Sequence, residues 1–198
     1  MKELSLYSKR HNIVLGFHGC DRSIVEKVIN GTELESSTND YDWLGNGMYF
    51  WENNSERALQ WAIDRKKRTP AVLGAIIDLG YCMDLMDSEF LKELKEAYNV
   101  LKDAMTLSQK EMPQNEGNTP DKLLRKLDCA VIETACQINI NAKLPAYDSV
   151  RGVFWEGDEL YPGAFFKEKN HIQICVRNPN CIKGFFLPRE INDGFPNP

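Results

Sequence analysis

Gly16-Phe17-His18-Gly19-Cys20 and Gly45-Asn46-Gly47-Met48-Tyr49-Phe50 are the two stretches on which the reading of this chain turns. The apolar run 13–17 reads as a strand that stops at His18-Gly19 and exposes a polar side chain there. Met48-Tyr49-Phe50-Trp51 is a second strand, rich in aromatics. Between them, Ile24, Val25, Val28 and Ile29 recur at helical spacing over 21–30, and Gly31 supplies a C-terminal stop. A polar loop, 35–42, and Trp43-Leu44 lead into the second glycine motif. Downstream, Asn53 with Glu56 forms a capping box for a helix over about 54–68, with Ala58, Leu59 and Ala62 on its inner face. Pro70 separates this helix from the apolar run 71–79, which reads as a strand covered on both faces.

The pattern then changes. Phe90, Leu91, Leu94, Ala97, Tyr98, Leu101, Ala104 and Met105 describe an amphipathic helix. A polar linker, 108–118, leads to Thr119-Pro120-Asp121, which has the form of an N-cap followed by proline at the first helical position. The helix behind it carries Leu123, Leu124, Leu127, Val131, Thr134, Ala135 and Ile138 on one side. Three strands close the chain, over 150–155, 171–176 and 181–187, with Pro179 between the last two. Strands and short helices, then a helical pair, then strands give an α+β fold, not the regular alternation of a doubly wound sheet. A length of 198 residues suits a single domain, 1–198, that buries a sizeable core.

An apolar share of 42% and a charged share of 27% are those of a soluble globular protein. A net charge of -5 speaks against non-specific nucleic-acid binding. The run Arg65-Lys66-Lys67-Arg68 is a candidate local basic patch or a solvated helix end. Six cysteines (20, 82, 129, 136, 175, 181) and three histidines (11, 18, 171) complete no zinc spacing, so no metal is expected. Several of the cysteines sit in apolar runs and read as reduced core thiols. The start MKELSLYSKRHN lacks a long apolar segment, and no stretch approaches a membrane span. A cytoplasmic protein with no membrane partner is the expectation.

The two glycine motifs, with Ser55-Glu56-Arg57-Ala58 and the run 72–80 trailed by Met83-Asp84-Leu85, resemble the diphtheria-toxin and poly(ADP-ribose) polymerase type of ADP-ribosyltransferase. In that family a strand ends in His-Gly, a later segment reads Gly-x-Gly-Ile-Tyr-Phe, and a Ser-x-x-Ala helix and an apolar strand ending Leu-Gly follow. The match keeps this order over residues 16–84, about a third of the chain, which makes it more specific than either short motif. The resemblance implies a mixed β core in a split sheet. The helical pair, about 88–140, has no counterpart and reads as an insertion.

The resemblance also implies NAD as co-substrate. The nicotinamide–ribose bond breaks through an oxocarbenium-like transition state, so a site must hold nicotinamide rigidly and stabilise charge at the anomeric carbon. Gly19 is placed to offer its backbone to the carboxamide. Neutral His18 is expected to donate to a ribose hydroxyl. Tyr49 offers one face to the nicotinamide ring, and Trp61 is placed to close the other. Arg57 stands where relatives place a small hydroxyl residue that contacts the carboxamide; as a guanidinium it better suits the pyrophosphate. Its alternative is a surface helix residue. Relatives carry a catalytic glutamate at the start of a late strand, in Glu-x-x-Val followed six residues later by Val or Ile. Here the match is Gln173-Ile174-Cys175-Val176 with Ile182, and glutamine supplies neither a base nor negative charge. His171 is the alternative register. Glu156 is the other carboxylate candidate, or a turn residue before Gly157.

Glutamine at this place argues against chain elongation, which needs a carboxylate to activate the acceptor hydroxyl. The expected activity is mono-ADP-ribosyl transfer from NAD to a macromolecular acceptor, protein or nucleic acid. Bacterial relatives of this shape often act as toxins or in conflict systems such as anti-phage defence, which makes an antitoxin or inhibitor protein a candidate partner. Loop 35–42 would border the acceptor side. The alternatives are an NAD glycohydrolase, with water as acceptor, and a non-catalytic NAD- or ADP-ribose-binding module, with Gln173 as the sign of lost turnover.

Overall fold

The computed structural model describes residues 13–118 and 121–196. The chain runs β1 (Ile13–Asp21), α1 (Arg22–Ile29), β2 (Met48–Glu52), α2 (Ser55–Asp64), β3 (Pro70–Asp78), β4 (Cys82–Asp84), α3 (Ser88–Leu107), α4 (Lys126–Asn141), β5 (Ser149–Phe154), β6 (His171–Val176) and β7 (Ile182–Phe186). This is an α+β architecture around a seven-stranded sheet of order β4-β5-β6-β2-β1-β3-β7. β4 and β5 pair in parallel, and the other neighbours are antiparallel.

β1 does not stop at His18-Gly19 as its sequence suggests. Its pairing with β3 continues to Asp21, whose carboxylate accepts from Ser23 N and Thr69 N and so caps α1. Against β2 the same strand behaves differently. The only register pairs are Gly16 with Glu52 and Phe17 with Trp51; beyond them β1 stays with β3, while β2 stays with β6 from Met48 to Trp51. The sheet is continuous across all seven strands, and β1 and β2 splay apart within it from His18 onward.

Each face of the sheet carries its own core. Phe50, Leu73, Ile77, Ile174 and Val176 pack beneath α1 with Val25 and Val28. On the other face α3 and α4 cover Leu44, Met83, Val150 and Cys175 with Ala97, Leu101, Val131, Ile132 and Ala135. The two helices read as an insertion therefore close the second core, because the apolar face beneath them must be removed from water. Strand alternation sends Met48 and Phe50 to the first core and Tyr49 to the edge of the second.

Several local expectations shift. The cap of α2 is Asn54, whose side chain accepts from Arg57 N, because Asn53 sits at φ 50 in a left-handed turn that asparagine tolerates. α2 ends at Asp64 rather than near 68. Leu59 is exposed, and Arg57 takes the inner position beside Ala58 and Ala62. Ile76 is exposed, so β3 is not covered on both faces along its whole length. β4, three residues long, is too short to show a period in the sequence. The helical face placed around Leu123 and Leu124 begins later, at Lys126; Leu124 instead bridges Glu116. The N-cap expected at Thr119-Pro120 lies outside the described residues. Among those residues, no helix is long and apolar enough to cross a membrane.

Candidate functional site

The strands that carry His18, Tyr49 and Gln173 are neighbours: β1, β2 and β6 lie side by side, with β2 in the middle. At the splay, His18 Nδ1 lies 2.8 Å from the main-chain oxygen of Tyr49. A carbonyl only accepts, so Nδ1 carries the proton and donates. The side chain thereby replaces a ladder hydrogen bond at the point where β1 and β2 part. Burial lowers the His18 pKa, which keeps the ring neutral and leaves Nε2 as a bare acceptor. This corrects the expectation that His18 donates to a ribose hydroxyl: through Nε2 it can only accept from one.

His18 and Tyr49 meet through that carbonyl and not through their rings. In β1, His18 alternates with Gly16 and Cys20 toward the first core, and its imidazole lies 5.9 Å from the Phe50 ring. Tyr49 turns to the other face. Its hydroxyl donates to Gly45 O at 2.6 Å and accepts from Leu44 N at 2.8 Å. Burial pushes its pKa far up, so the phenol stays protonated. The Gly45-Asn46-Gly47 loop is therefore fastened from within by Tyr49. From outside, Glu133 of α4 accepts from Asn46 N and pairs with Arg177. Gly45 sits at φ 79, which explains the first glycine of the motif.

Gly19 has a different reason from the one expected. A Cβ there would lie 2.0 Å from the main-chain oxygen of Ala58, so the glycine lets α2 lie directly on β1. Trp61 does not oppose Tyr49 but leans on Trp51, with ring centroids 5.7 Å apart. Arg65 and Lys67 flank the Trp61 ring, each 5.6 Å from its centroid. The basic run thus begins as a clamp on one aromatic.

The remaining candidates come together around Arg57. Its surface alternative is excluded: the side chain is 6% exposed and pairs with Glu156 at 2.5 Å. Glu156 is accordingly a partner of α2 and not a free turn residue. The Arg57 guanidinium stands 5.7 Å over the Trp51 ring. Across the strands Trp51 is the partner of Gln173, and Phe154 of His171, so these four share a face. His171 donates from Nδ1 to Lys169 O at 2.6 Å and is surrounded by Trp43, Trp51 and Phe154. Burial lowers its pKa too, and nearby Arg57 acts in the same direction.

Sequence reasoning missed the concentration of polar groups left over here. Among the described residues, Trp51 Nε1, Arg57 Nε, Arg57 Nη1 and His171 Nε2 are buried without a hydrogen-bond partner. A fifth such atom, Arg125 Nε, belongs to the cation stacked on Trp43, 4.9 Å from its centroid. Each unmet buried group costs about 1–3 kcal/mol. Four of the five gather in one aromatic cluster, which concentrates the unmet polar groups of the described residues there. The signal in the sequence was only the coincidence of tryptophans 43, 51 and 61 with Arg57.

No family model matches the chain. It is similar to an uncharacterized protein of Methanocaldococcus jannaschii, 27% identical over an alignment 187 positions long, with 84% of this chain and 83% of that one covered. Among solved structures, an anti-CRISPR protein aligns over 83% of this chain and 90% of its own, at 14% identity and a TM-score of 0.35.

Two cavities lie beside these residues. One, of about 410 Å³, is an open cleft between α3, α4 and β5, and shares Trp43 and Phe154 with the aromatic cluster. The other, of about 470 Å³, has a mixed lining that includes Asn46, Gly47, Ile140, Tyr147, Asp148 and Arg177. Neither is lined by His18, Gly19 or Tyr49.

Proposed function

We propose that this chain is an NAD-dependent ADP-ribosyltransferase that releases nicotinamide and transfers ADP-ribose to a macromolecular acceptor. The observation that carries the reading is the His18–Tyr49 junction: a histidine and a tyrosine of the two glycine motifs are locked together where the sheet splays, with Gln173 on the next strand. In this reading NAD passes through the splay, because His18 turns to one face of the sheet and Trp51, Gln173 and Arg57 to the other. Neutral His18 accepts a ribose hydroxyl through Nε2, and Arg57 faces the pyrophosphate. Gln173 holds a hydroxyl without acting as a base, which favours a single transfer over chain growth.

A second reading is hydrolysis of NAD. It is favoured by the burial of Gln173, 9% exposed, and of His171, 6% exposed, since water reaches such groups more readily than a macromolecule does. Incubation with NAD labelled in the adenylate half, with and without cell lysate, tests both. Free nicotinamide with labelled macromolecule indicates transfer, and free nicotinamide alone indicates hydrolysis. NAD binding without nicotinamide release sinks both readings and leaves a binding module.

A further inference from the structure

Arg57 and Trp51 present three buried N–H groups without partners among the described residues, and the bare nitrogen of His171 belongs to the same cluster. These are almost all donors. Their natural complement is a group made of acceptor oxygens. Glu156, from the connection between β5 and β6, already supplies one carboxylate oxygen to Arg57 Nη2 and leaves Nε and Nη1 unused. A lone carboxylate is a partial match for a guanidinium whose remaining donors also lie away from water; a phosphoryl group, with more oxygens and more charge, matches more of them.

We propose that Arg57, Trp51 and His171 form a phosphoryl-binding site in which Glu156 holds the place of the anion on Arg57. Arg57 and Trp51 meet the phosphoryl oxygens with N–H groups. His171 takes up a proton on Nε2 and becomes a further donor, while Nδ1 keeps its bond to Lys169 O. The charged groups that bear on His171 are Arg57 from α2, which opposes protonation, and Glu156, which favours it. An arriving dianion adds to the second and offsets the first, so ligand and proton bind together. If the nucleotide is NAD, which rests on the function proposed above, the group is its pyrophosphate. A backbone phosphate of a nucleic-acid acceptor has the same chemistry.

Calorimetric titration of the full chain with ADP-ribose, inorganic pyrophosphate and a short single-stranded oligonucleotide, in two buffers of different ionisation enthalpy, tests this. ADP-ribose and pyrophosphate are expected to bind with uptake of a proton and more tightly at pH 6 than at pH 8. Arg57→Met should weaken both by at least about tenfold. Glu156→Gln should tighten both, a gain that misfolding cannot mimic, and His171→Phe should abolish the proton uptake. Binding of the oligonucleotide alone, with the same response to Arg57→Met, would keep the phosphoryl site and assign it to the acceptor. Unchanged ADP-ribose binding in Arg57→Met, weaker binding in Glu156→Gln, or adenosine binding as well as ADP-ribose would each overturn the proposal. The two ideas fail separately. A chain that binds ADP-ribose through Arg57 but releases no nicotinamide loses only the proposed activity. A chain that releases nicotinamide while ignoring Arg57→Met loses only the phosphoryl site.

Discussion

His18 Nδ1 donates to the main-chain carbonyl of Tyr49 across 2.8 Å, at the place where β1 and β2 cease to pair. A side chain here does the work of a strand ladder, so it is at once part of the sheet and part of the proposed NAD cleft. His18→Ala leaves that carbonyl without its donor and is expected to destabilise the fold by about 1–3 kcal/mol. Nicotinamide release should fall by at least about a hundredfold. Urea denaturation and a nicotinamide assay on the same preparation measure the two effects. Wild-type turnover in a folded His18→Ala protein removes His18 from the mechanism.

The Tyr49 hydroxyl fastens the glycine loop, and the proposed function gives the ring a separate task. Tyr49→Phe keeps the ring but strips Leu44 N and Gly45 O of their common partner. A loss of about 1–3 kcal/mol in stability is expected, with release of nicotinamide largely kept. Tyr49→Ala should abolish release. Comparison of the two variants by thermal melt and turnover separates the loop-fastening role from the ring's role. Equal losses of activity would show that the loop, and not the ring, is what matters.

At Gly19 the conflict is purely steric. The methyl of Gly19→Ala points at the Ala58 carbonyl from 2.0 Å, too close to be relieved without moving α2 off β1. About 1–3 kcal/mol of destabilisation is expected. Hydrogen exchange should show the first turn of α2 opening faster. A variant as stable as the wild type would contradict the packing described for α2.

Two histidines make stability depend on pH in one direction. Burial lowers the pKa of both His18 and His171 below the ordinary value of 6.5. The unfolded chain therefore binds protons that the folded chain refuses. Their contribution is fully present above about pH 6.5 and is lost as pH falls from there through the folded pKa values. Urea midpoints between pH 8 and pH 5 should decline on the acid side, and less so in His171→Phe. A flat profile over that range would show that the two rings titrate normally.

The cysteines are expected to be quiet. Burial pushes the thiols of Cys20, Cys82, Cys129, Cys136 and Cys181 up to about 11, and that of Cys175 higher still. None is bridged to another. A thiol reagent at neutral pH should label the native protein slowly and all six sites after denaturation. Fast labelling of one native site would identify an accessible thiolate that this packing does not allow.

What the sequence determined by itself is local. Apolar runs of strand length, helical spacing around Val25 and Leu101, and the α+β order of elements are all carried by neighbouring residues, and each reappears in the fold. The His18-Gly19 and Gly45-Asn46-Gly47-Met48-Tyr49 motifs were legible for the same reason. What only the tertiary structure decided depends on partners far along the chain. Arg57 reads equally as a surface residue or a pyrophosphate contact until Glu156, 99 positions later, closes over it. The proton on His18 is undetermined until the carbonyl of Tyr49, 31 positions away, fixes it to Nδ1. Gly19 reads as an opening for a ligand until the backbone of α2 is found against it. Periodicity reports which face a residue prefers, but burial, tautomer and ion pairing are set by what arrives at that face from elsewhere. For that reason the strands could be read from the chain alone, whereas the cluster of Trp51, Arg57, Glu156 and His171 appeared only once the sheet was assembled.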